Sequence, residues 1–352
     1  MIISKWIDTK ENEKAILDLG RRVYSRSDII NSSYFDWQYR KNSQGKAIIM
    51  LGLNEEQNNS VIGIASVIPM SLSIDREIIL GSLACNVAIH PDFRMRGNFS
   101  KLLSSLSSNL LENNIHYVYA VLNKNSYRAF MKQDYIEVTQ LSLLAKPLKI
   151  SKYFNNQIQK ILTPFDRIWK IKNNHSGTVK KFNESFNEKF EKLIEKKRKI
   201  VHIIHSRDQK FLHWRYQNHP TRKYQIFILE ENQVLSGYII TTQTILKGKK
   251  IGVIVDFICD EDVKEKNKFQ NLINTALEDF WKNDVSIAIA LCGVGLFEYK
   301  ILHDAGFFRV PQFLNPEPLH FVVLPVDQKL SVLKDLNKFE NWFFTFGDYD
   351  IF

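Results

Sequence analysis

Residues 85–103 read CNVAIHPDFRMRGNFSKLL, and this stretch decides the predicted fold. An apolar strand ends at His90-Pro91, a basic turn with one glycine follows, and regularly spaced leucines then indicate a helix. Such a turn points backbone N–H groups at one place, with the positive end of the helix behind them. Arg94 and Arg96 add positive charge, and Gly97 lets an anion approach the backbone closely. The stretch therefore predicts an anion-binding loop.

Strands and helices alternate on both sides of this loop. Hydrophobic periodicity predicts strands before it and after it, and a helix with an apolar leucine stripe directly behind it. The predicted strands of the first half are 2–7, 46–53, 60–74, 78–89, 116–122 and 135–146, and the predicted helices are 10–24, 97–113 and 125–132. This order is typical of an α/β domain.

The pattern starts again after a polar linker, which indicates a duplication. Residues 211–216 echo 34–39, and Asp256 occupies the place of Asn86. The offset between matching residues drifts from 177 at Trp37 and Trp214 to 170 at Asn86 and Asp256, as short loop insertions would cause. The predicted organisation is a first domain at 1–146, a linker at 147–175, a second domain at 176–325 and a tail at 326–352.

Composition limits the class of protein. The 352 residues are 44% hydrophobic and 24% charged, which excludes a disordered chain. No apolar run reaches the roughly 18 residues that span a bilayer, and the N-terminus does not resemble a signal peptide. We therefore expect a cytoplasmic protein without membrane insertion. A lysine-rich run at 180–199 predicts a solvated helix face.

The three cysteines are separated along the chain, and each lies in an apolar strand. No Cys-x-x-Cys pair or Cys/His cluster is present, so we expect buried, reduced thiols and no metal site. The formal net charge of +10 indicates anionic ligands, which are either nucleic acid or phosphate-rich small molecules.

The loop resembles the signature of the GNAT acyltransferases, Arg/Gln-x-x-Gly-x-Gly/Ala. This chain has Arg94-x-x-Gly97-x-Phe99, with Phe99 in place of the usual last small residue. The resemblance implies two tandem GNAT-like domains, each a mixed, mostly antiparallel sheet flanked by helices. It also implies coenzyme A or acyl-CoA as co-substrate, with the loop amides on the pyrophosphate. The expected CoA-binding residues are Val87, Ala88, Ile89, Arg94, Arg96, Gly97, Asn98, Phe99, Ser100, Asn123 and Ser126.

Two further segments bear on the same resemblance. Phe130 stands where many relatives have a tyrosine that protonates the leaving thiolate, and Phe130 cannot donate a proton. Tyr127, one turn earlier, either substitutes or packs in the core. The second copy has no glycine at 263–269, so we expect one CoA site, in the first copy.

Acyl transfer requires an unprotonated amine, and the predicted catalytic residues are Asp256 and Asn86. Asp256 stands alone in an apolar strand, where burial would raise its pKa toward that of a useful base. The alternatives are a structural carboxylate at this position, or a base supplied by His90, His213 or His116. The second residue, Asn86, lies at the matching position of the first copy.

Aromatic segments and the tail indicate the acceptor. Trp and Tyr stack on bases and sugars, and Arg binds phosphate through two hydrogen bonds. The predicted substrate-binding residues are Trp37, Tyr39, Trp214, Arg215, Tyr216 and Asp348. Core packing is the alternative for the aromatic ones.

The whole chain resembles duplicated GNAT proteins of bacterial surface-polysaccharide pathways, which implies a nucleotide-linked deoxy-amino sugar, carrying dTDP or UDP, as acceptor, and no nucleic acid. Two other interpretations stay open: an aminoacyl-tRNA-dependent peptidyltransferase, and a non-catalytic CoA-binding module.

Overall fold

A computed structural model describes residues 1–24, 28–57, 59–154, 156–169, 179–246, 248–261, 266–311 and 318–349. Residues 170–175 of the predicted linker, 176–178 of the predicted second domain, 263–265 of the second-copy loop and 350–352 of the tail lie outside these ranges. The chain forms two compact units. Unit 1 comprises Met1–Gln140, Lys210–Thr221 and Glu317–Asn341, and unit 2 comprises Leu141–Gln209, Arg222–Pro316 and Trp342–Phe352.

Unit 1 is built on strands from both ends of the chain. Its strands are β1 (Ile2–Lys5), β2 (Ile48–Asn54), β3 (Ser60–Ile74), β4 (Glu77–Ile89), β5 (Tyr117–Leu122), β6 (Ile136–Leu141) and β15 (Leu319–Pro325). Its α-helices are α1 (Lys10–Val23), α2 (Ser32–Phe35), α3 (Asn98–Ser108), α4 (Lys124–Met131) and α7 (Gln209–Leu212). A π-helical turn follows α2 at Asp36–Arg40 and another follows α7 at His213–Gln217. Its 3₁₀ segments are Asp28–Ile30, Glu55–Gln57, Pro91–Phe93, Leu111–Asn113, Ser331–Asn337 and Phe339–Asn341.

The strands of unit 1 pair in the order β1-β2-β3-β4-β5-β15-β6. Pairing is antiparallel from β1 to β4 and between β15 and β5, whereas β4 and β5 run parallel. The leucine stripe of α3 is buried: Leu102, Leu103 and Leu106 pack in one apolar core with residues of β3, β4 and β5. This packing fixes the start of α3 beside the end of β4.

Unit 2 repeats this scheme. Its strands are β7 (Leu143–Pro147), β8 (Val179–Phe182), β9 (Ile203–His205), β10 (Gln225–Glu231), β11 (Val234–Leu246), β12 (Lys249–Cys259), β13 (Ile287–Leu291), β14 (Phe308–Arg309) and β16 (Trp342–Phe343). Its α-helices are α5 (Asn156–Leu162), α6 (Glu188–Arg198), α8 (Lys266–Lys282) and α9 (Phe297–Asp304), and its 3₁₀ segments are Ile150–Tyr153, Thr163–Trp169 and Phe346–Asp348. The sheet order is β14-β7-β13-β12-β11-β10-β8, with β12 and β13 parallel. A short parallel pair joins β9 to β16.

The predicted fold class is confirmed, because each unit is a mixed, mostly antiparallel sheet flanked by helices. The boundaries differ from the consecutive ones that the repeat suggested. The predicted strand 135–146 is two strands, β6 and β7, and β7 pairs with β13 of unit 2. The strand β15, from the second half of the sequence, pairs with β5 of unit 1. Hydrophobic periodicity locates a strand without revealing which sheet it joins.

The cysteines are buried free thiols, as expected. Among the described residues, no helix combines the length and the apolar character that crossing a membrane requires.

Candidate active site

The loop between β4 and α3 is an exposed basic turn. Arg94 and Arg96 are exposed, as is Gly97, which adopts a left-handed backbone with φ +71° immediately before α3. The Arg94 Nε donates to the Ile89 carbonyl at 3.1 Å, and the Asn98 side chain donates to the Phe93 carbonyl at 2.9 Å. These two bonds close the turn, and they hold the exposed residues at the start of the helix.

The first turn of α3 leaves its N–H groups open. Gly97 has no side chain, so no side chain caps this helix end. Unpaired N–H groups at a helix start carry partial positive charge and bind anions. Asn98 is buried, whereas Phe99 and Ser100 are half-buried, so the expected CoA-binding residues of this helix differ in exposure. The open backbone and two flanking guanidinium groups suit a phosphate.

Beside the loop, β4 and β5 separate. Over their described lengths, the parallel ladder pairs Ser82 with Val118 and Leu83 with Tyr119. The strand β4 continues to Ile89 and β5 to Leu122, beyond this ladder. The predicted pantetheine residues 87–89 all lie on this diverging part of β4. An extended ligand could therefore pair with the β4 backbone on the side that faces β5.

A β-bulge interrupts β4 at Asn86. The register with β3 shifts between Ile64 and Ser66, and Asn86 has a left-handed backbone with φ +52°. Its Nδ2 donates to the Gln38 Oε1 at 2.9 Å and to the Tyr39 hydroxyl at 2.8 Å. Since both hydrogens of the amide face inward, the carbonyl oxygen of Asn86 faces away from these partners. Asn86 is half-buried, so part of its side chain stays accessible.

The predicted aromatic residues are buried rather than available for stacking on a ligand. Trp37 and Trp214 stack with ring centroids 4.6 Å apart, and each indole N–H donates to the other's backbone carbonyl, at 2.7 and 2.9 Å. Both are only 5% exposed, and Tyr39 and Tyr216 are 0% and 4% exposed. The two π-helical turns direct these rings into the core of unit 1. Their burial favours the core-packing alternative, but Trp37 and Trp214 also line an open cleft, so substrate binding by these residues stays a prediction.

Arg215 is also buried, with 3% exposure, and its guanidinium lies over the Tyr216 ring at 5.7 Å. A buried guanidinium cannot reach a solvated diphosphate, so this assignment is corrected. An open cleft of about 690 Å³ lies beside the Trp37–Trp214 stack instead. Lys41, Lys210 and His213 line it, and the Lys41 ammonium pairs with Asp36 at 2.5 Å.

No family model and no curated protein matches the sequence, but solved structures do match the fold. A GCN5-related N-acetyltransferase from Anabaena variabilis superimposes with a TM-score of 0.64 at 15% identity, covering 92% of this chain and 73% of that one. The N-myristoyltransferase of Saccharomyces cerevisiae with bound myristoyl-CoA gives 0.63 at 12% identity, covering 92% and 82%. A probable N-acyltransferase from Enterococcus faecalis gives 0.63 at 13% identity, covering 95% and 74%. This chain has a tandem GNAT-like fold.

In unit 2, side chains occupy the strand end that corresponds to the end of β4 in unit 1. The end of β12 corresponds to the end of β4, but the Cys259 N–H donates to the Glu298 Oε1 at 3.1 Å. The Lys197 Nζ binds the same carboxylate at 2.7 Å, and both side chains are only 1% exposed. Lys197 was predicted on a solvated helix face, and its burial corrects that prediction. Because charged side chains occupy this strand end, unit 2 offers less room for an extended ligand.

Asp256 lies in a buried ion-pair cluster of unit 2. Arg207 donates to both of its carboxylate oxygens, at 2.9 and 3.2 Å, and the Tyr238 hydroxyl donates to one of them at 3.1 Å. The side chains of Arg207 and Asp256 are 1% and 0% exposed. A general base needs an accessible lone pair within reach of the proton. The predicted role of Asp256 as base is therefore corrected to the structural alternative.

Asp348 belongs to the same cluster and is likewise inaccessible to a substrate. Arg207 donates to it at 2.9 Å, and the Thr345 backbone N–H donates to it at 2.7 Å. Burial alone would raise the pKa of the Asp348 carboxyl, but the charge of Arg207 and the contacts with His205 and Thr345 outweigh burial and hold the pKa at about 2. The prediction of substrate binding by Asp348 is corrected.

Helix α4 carries the remaining predicted residues. Asn123 caps it by accepting from the N–H groups of Asn125 and Ser126, so its side chain is used in folding the helix start. Phe130 is buried in the core. The Tyr127 hydroxyl donates to Glu137, whose other oxygen binds His320 at 2.7 Å. Sequence analysis missed Glu137 and His320, because residues 183 positions apart carry no common local signal.

Proposed function

We propose that the protein is an acyl-CoA-dependent N-acyltransferase with its donor site in unit 1. The observation that carries this proposal is the exposed turn Arg94–Gly97 before the open start of α3. It supplies backbone N–H groups and two guanidinium groups for a pyrophosphate. The diverging end of β4 then gives the pantetheine a backbone edge that leads toward Asn86, on which Tyr24 and Arg94 donate to the carbonyls of Val87 and Ile89.

The reaction is direct attack of an amine nitrogen on the thioester carbonyl carbon. The N–C bond forms, the C–S bond breaks, one proton leaves the amine and one reaches the sulfur. The Asn86 carbonyl oxygen can accept a hydrogen bond from the attacking amine and orient its lone pair. It cannot act as a base, so its contribution is to positioning. The left-handed bulge and the contacts with Gln38 and Tyr39 keep this oxygen in place.

The acceptor class in this proposal is a nucleotide-linked amino sugar. The cleft beside the Trp37–Trp214 stack supports it, because Lys41, Lys210 and His213 can bind phosphate there. The same π-helical turn carries Trp37 at this cleft and Gln38 and Tyr39 at the bulge. An acceptor with an amine at one end and a diphosphate at the other fits such an arrangement.

One CoA per chain is part of the proposal. In unit 2, Glu298 already accepts the Cys259 N–H at the corresponding strand end, and Lys197 neutralises it. A pantetheine bound there would have to displace a buried ion pair, which is costly.

A matched pair of variants tests the donor site. Gly97 has a left-handed backbone, and a Cβ placed on it meets no atom within 4 Å. Asparagine tolerates this backbone better than most residues. Gly97→Asn should therefore fold and keep CoA binding, whereas Gly97→Asp places a carboxylate against the pyrophosphate and should abolish it. Calorimetry with acetyl-CoA measures affinity and stoichiometry. Equal affinity in both variants, or two sites per chain, would refute the proposed site.

Catalysis is tested separately by release of free CoA thiol from acetyl-CoA. The amines to compare are dTDP- and UDP-linked amino sugars and a lysine peptide, with aminoacyl-tRNA tested as an alternative acyl donor. Thiol release with an amino sugar supports the proposal. Binding of acetyl-CoA without thiol release in the presence of any of these amines would favour the non-catalytic CoA-binding module. Transfer of the aminoacyl group from charged tRNA would favour the peptidyltransferase.

A further inference from the structure

Tyr127, Glu137 and His320 form a cluster of titratable side chains in unit 1 that the donor site does not use. The His320 Nδ1 lies 2.7 Å from the Glu137 Oε1, and the Tyr127 hydroxyl donates to the other carboxylate oxygen. The Tyr127 and His320 rings stack with centroids 4.1 Å apart and an interplanar angle of 31°. Three elements, α4, β6 and β15, each supply one member.

The carboxylate fixes which nitrogen of His320 carries a hydrogen. A carboxylate only accepts, so the Nδ1 must donate, and in the neutral ring the Nε2 then holds a lone pair. Within the described part of the chain, the Nε2 has no hydrogen-bond partner, and the side chain is 18% exposed. A histidine oriented by a carboxylate with its other nitrogen free is the arrangement that transfers protons in enzymes.

The position of His320 matches the proposed reaction. It pairs with Leu122, the last residue of β5. Because β4 and β5 are parallel, this end of β5 lies at the same sheet edge as the end of β4 and its basic loop. Tyr127 places the cluster against α4, the helix that follows β5.

A second pair of the same kind lies at the opposite end of β5. The His116 Nδ1 is 3.2 Å from the Asp327 Oδ2, and His116 directly precedes β5. Its side chain is 31% exposed. His116 therefore serves as a control for His320, because it also lies within hydrogen-bond distance of a carboxylate but at the end of β5 away from the proposed site.

We propose that His320 is the proton-transfer residue of the acyl transfer, with Glu137 as its positioning residue. This rests on the proposed function. The amine nitrogen attacks the thioester carbonyl carbon, and the His320 Nε2 takes one proton from the resulting ammonium. As the C–S bond breaks, the same nitrogen returns that proton to the sulfur, which leaves as the thiol. The histidine ends as it began, so no further reactant is needed.

Tyr127 does not supply the proton in this scheme. Its hydroxyl hydrogen is directed to Glu137, and this hydrogen bond raises the pKa of the phenol. Its role is to hold the carboxylate and to support the imidazole ring from one face. Removal of the hydroxyl in Tyr127→Phe leaves the contact between Glu137 and His320 in place, so its effect on kcat should be smaller than that of His320→Ala.

The test uses the full chain, with acetyl-CoA and whichever panel amine the wild type acylates fastest. His320→Ala should lower kcat by about 10²-fold or more, the usual contribution of a positioned acid or base. Its KM for acetyl-CoA should be unchanged, and added imidazole should restore activity in proportion to its concentration. His116→Ala should keep the wild-type kcat and should not respond to imidazole. Glu137→Gln should lower kcat without changing the KM for acetyl-CoA, and Lys132→Ala serves as an exposed neighbouring control.

The outcomes separate the two proposals. If the wild type releases no thiol with any amine, the proposed function fails and the role of His320 fails with it. If the wild type transfers acyl groups and His320→Ala keeps its kcat, the role of His320 alone is refuted. A loss of kcat that imidazole does not restore, in a variant that still binds acetyl-CoA with normal affinity, also overturns proton transfer, since it indicates a structural effect.

Discussion

Replacement of Arg207 by methionine should show what the buried cluster of unit 2 does. Arg207 is 1% exposed and donates to Asp256, Asp348 and Thr345. Arg207→Met keeps much of the side-chain length but leaves two carboxylates buried without their cation. Removal of one partner from a buried ion pair costs about 3–5 kcal/mol. We therefore expect the unfolding free energy in urea at pH 7 to fall by about that amount.

The pH dependence of this variant provides the sharper test. In the wild type, the pKa of the Asp348 carboxyl is about 2, below its unfolded value, so this group stabilises the fold above pH 4 and loses its contribution as the pH falls toward 2. Without Arg207, burial should raise the pKa of the Asp348 carboxyl above its unfolded value. The variant should then become more stable as the pH falls from 7 to about 4, whereas the wild type keeps its Asp348 contribution over that range.

An exposed pair provides the control for Arg207→Met. Arg21 pairs with Asp18 on α1, and the two side chains are 54% and 48% exposed. Such pairs contribute about 0–1 kcal/mol, so Arg21→Met should leave the urea midpoint nearly unchanged at both pH values. A loss below about 1 kcal/mol in Arg207→Met, or a stability that still falls with pH between 7 and 4, would refute the structural account of the cluster.

Three further predictions concern the same unit. Asp256→Asn should lower the unfolding free energy by about 1.5–3 kcal/mol, which is the contribution of hydrogen bonds to a charged group. The kcat per folded molecule should stay at the wild-type value. A lower kcat at unchanged stability would instead indicate that Asp256 is a catalytic base. The unfolding free energy of the wild type should fall by about 2 kcal/mol between pH 4 and pH 2 as Asp348 is protonated. Asp348→Asn should not show this fall. Urea unfolding at each pH measures the difference between the two proteins. Glu298→Gln should lower the unfolding free energy by about 3–5 kcal/mol, because it removes the charge beside buried Lys197. Calorimetry should still find one acetyl-CoA bound per chain. An unfolding free energy close to that of the wild type would contradict the ion pair between Glu298 and Lys197.

Local sequence signals predicted much of the fold. The strand, basic turn and leucine stripe at 85–103 predicted β4, the loop and α3, because each depends on neighbouring residues. The echo between 34–39 and 211–216 predicted matching elements, and both segments form a short helix followed by a π-helical turn. Residue type alone did not reveal the side-chain direction. Trp and Tyr suit both a core and a ligand surface, and only the fold showed that these rings face inward.

Long-range pairing accounts for the errors. Asp256 looks unpartnered in its strand, but its cation comes from Arg207, 49 residues earlier, and a further hydrogen bond comes from Thr345. A lone charge in an apolar strand therefore indicates a buried partner at least as strongly as it indicates a catalytic base. The cluster of Glu137 and His320 was missed for the same reason, since no local pattern marks either residue.

The contrast between the two units follows from how each satisfies the free end of its central strand. In unit 1, β4 ends in an exposed turn with Gly97 and two arginines, and its edge diverges from β5, where Tyr24 and Arg94 donate to the carbonyls of Val87 and Ile89. In unit 2, the corresponding N–H of Cys259 binds Glu298, whose charge requires Lys197, and the bulged strand carries Asp256, whose charge requires Arg207. Buried ion pairs of this kind contribute little net stability compared with apolar packing, but they leave no polar group of the strand end without a partner. A duplicated domain that no longer binds a ligand at this edge must still satisfy the polar groups that the ligand once met. On the proposed function, the buried charges of unit 2 stand where unit 1 would hold its ligand, and we propose that acyl transfer takes place in unit 1 alone.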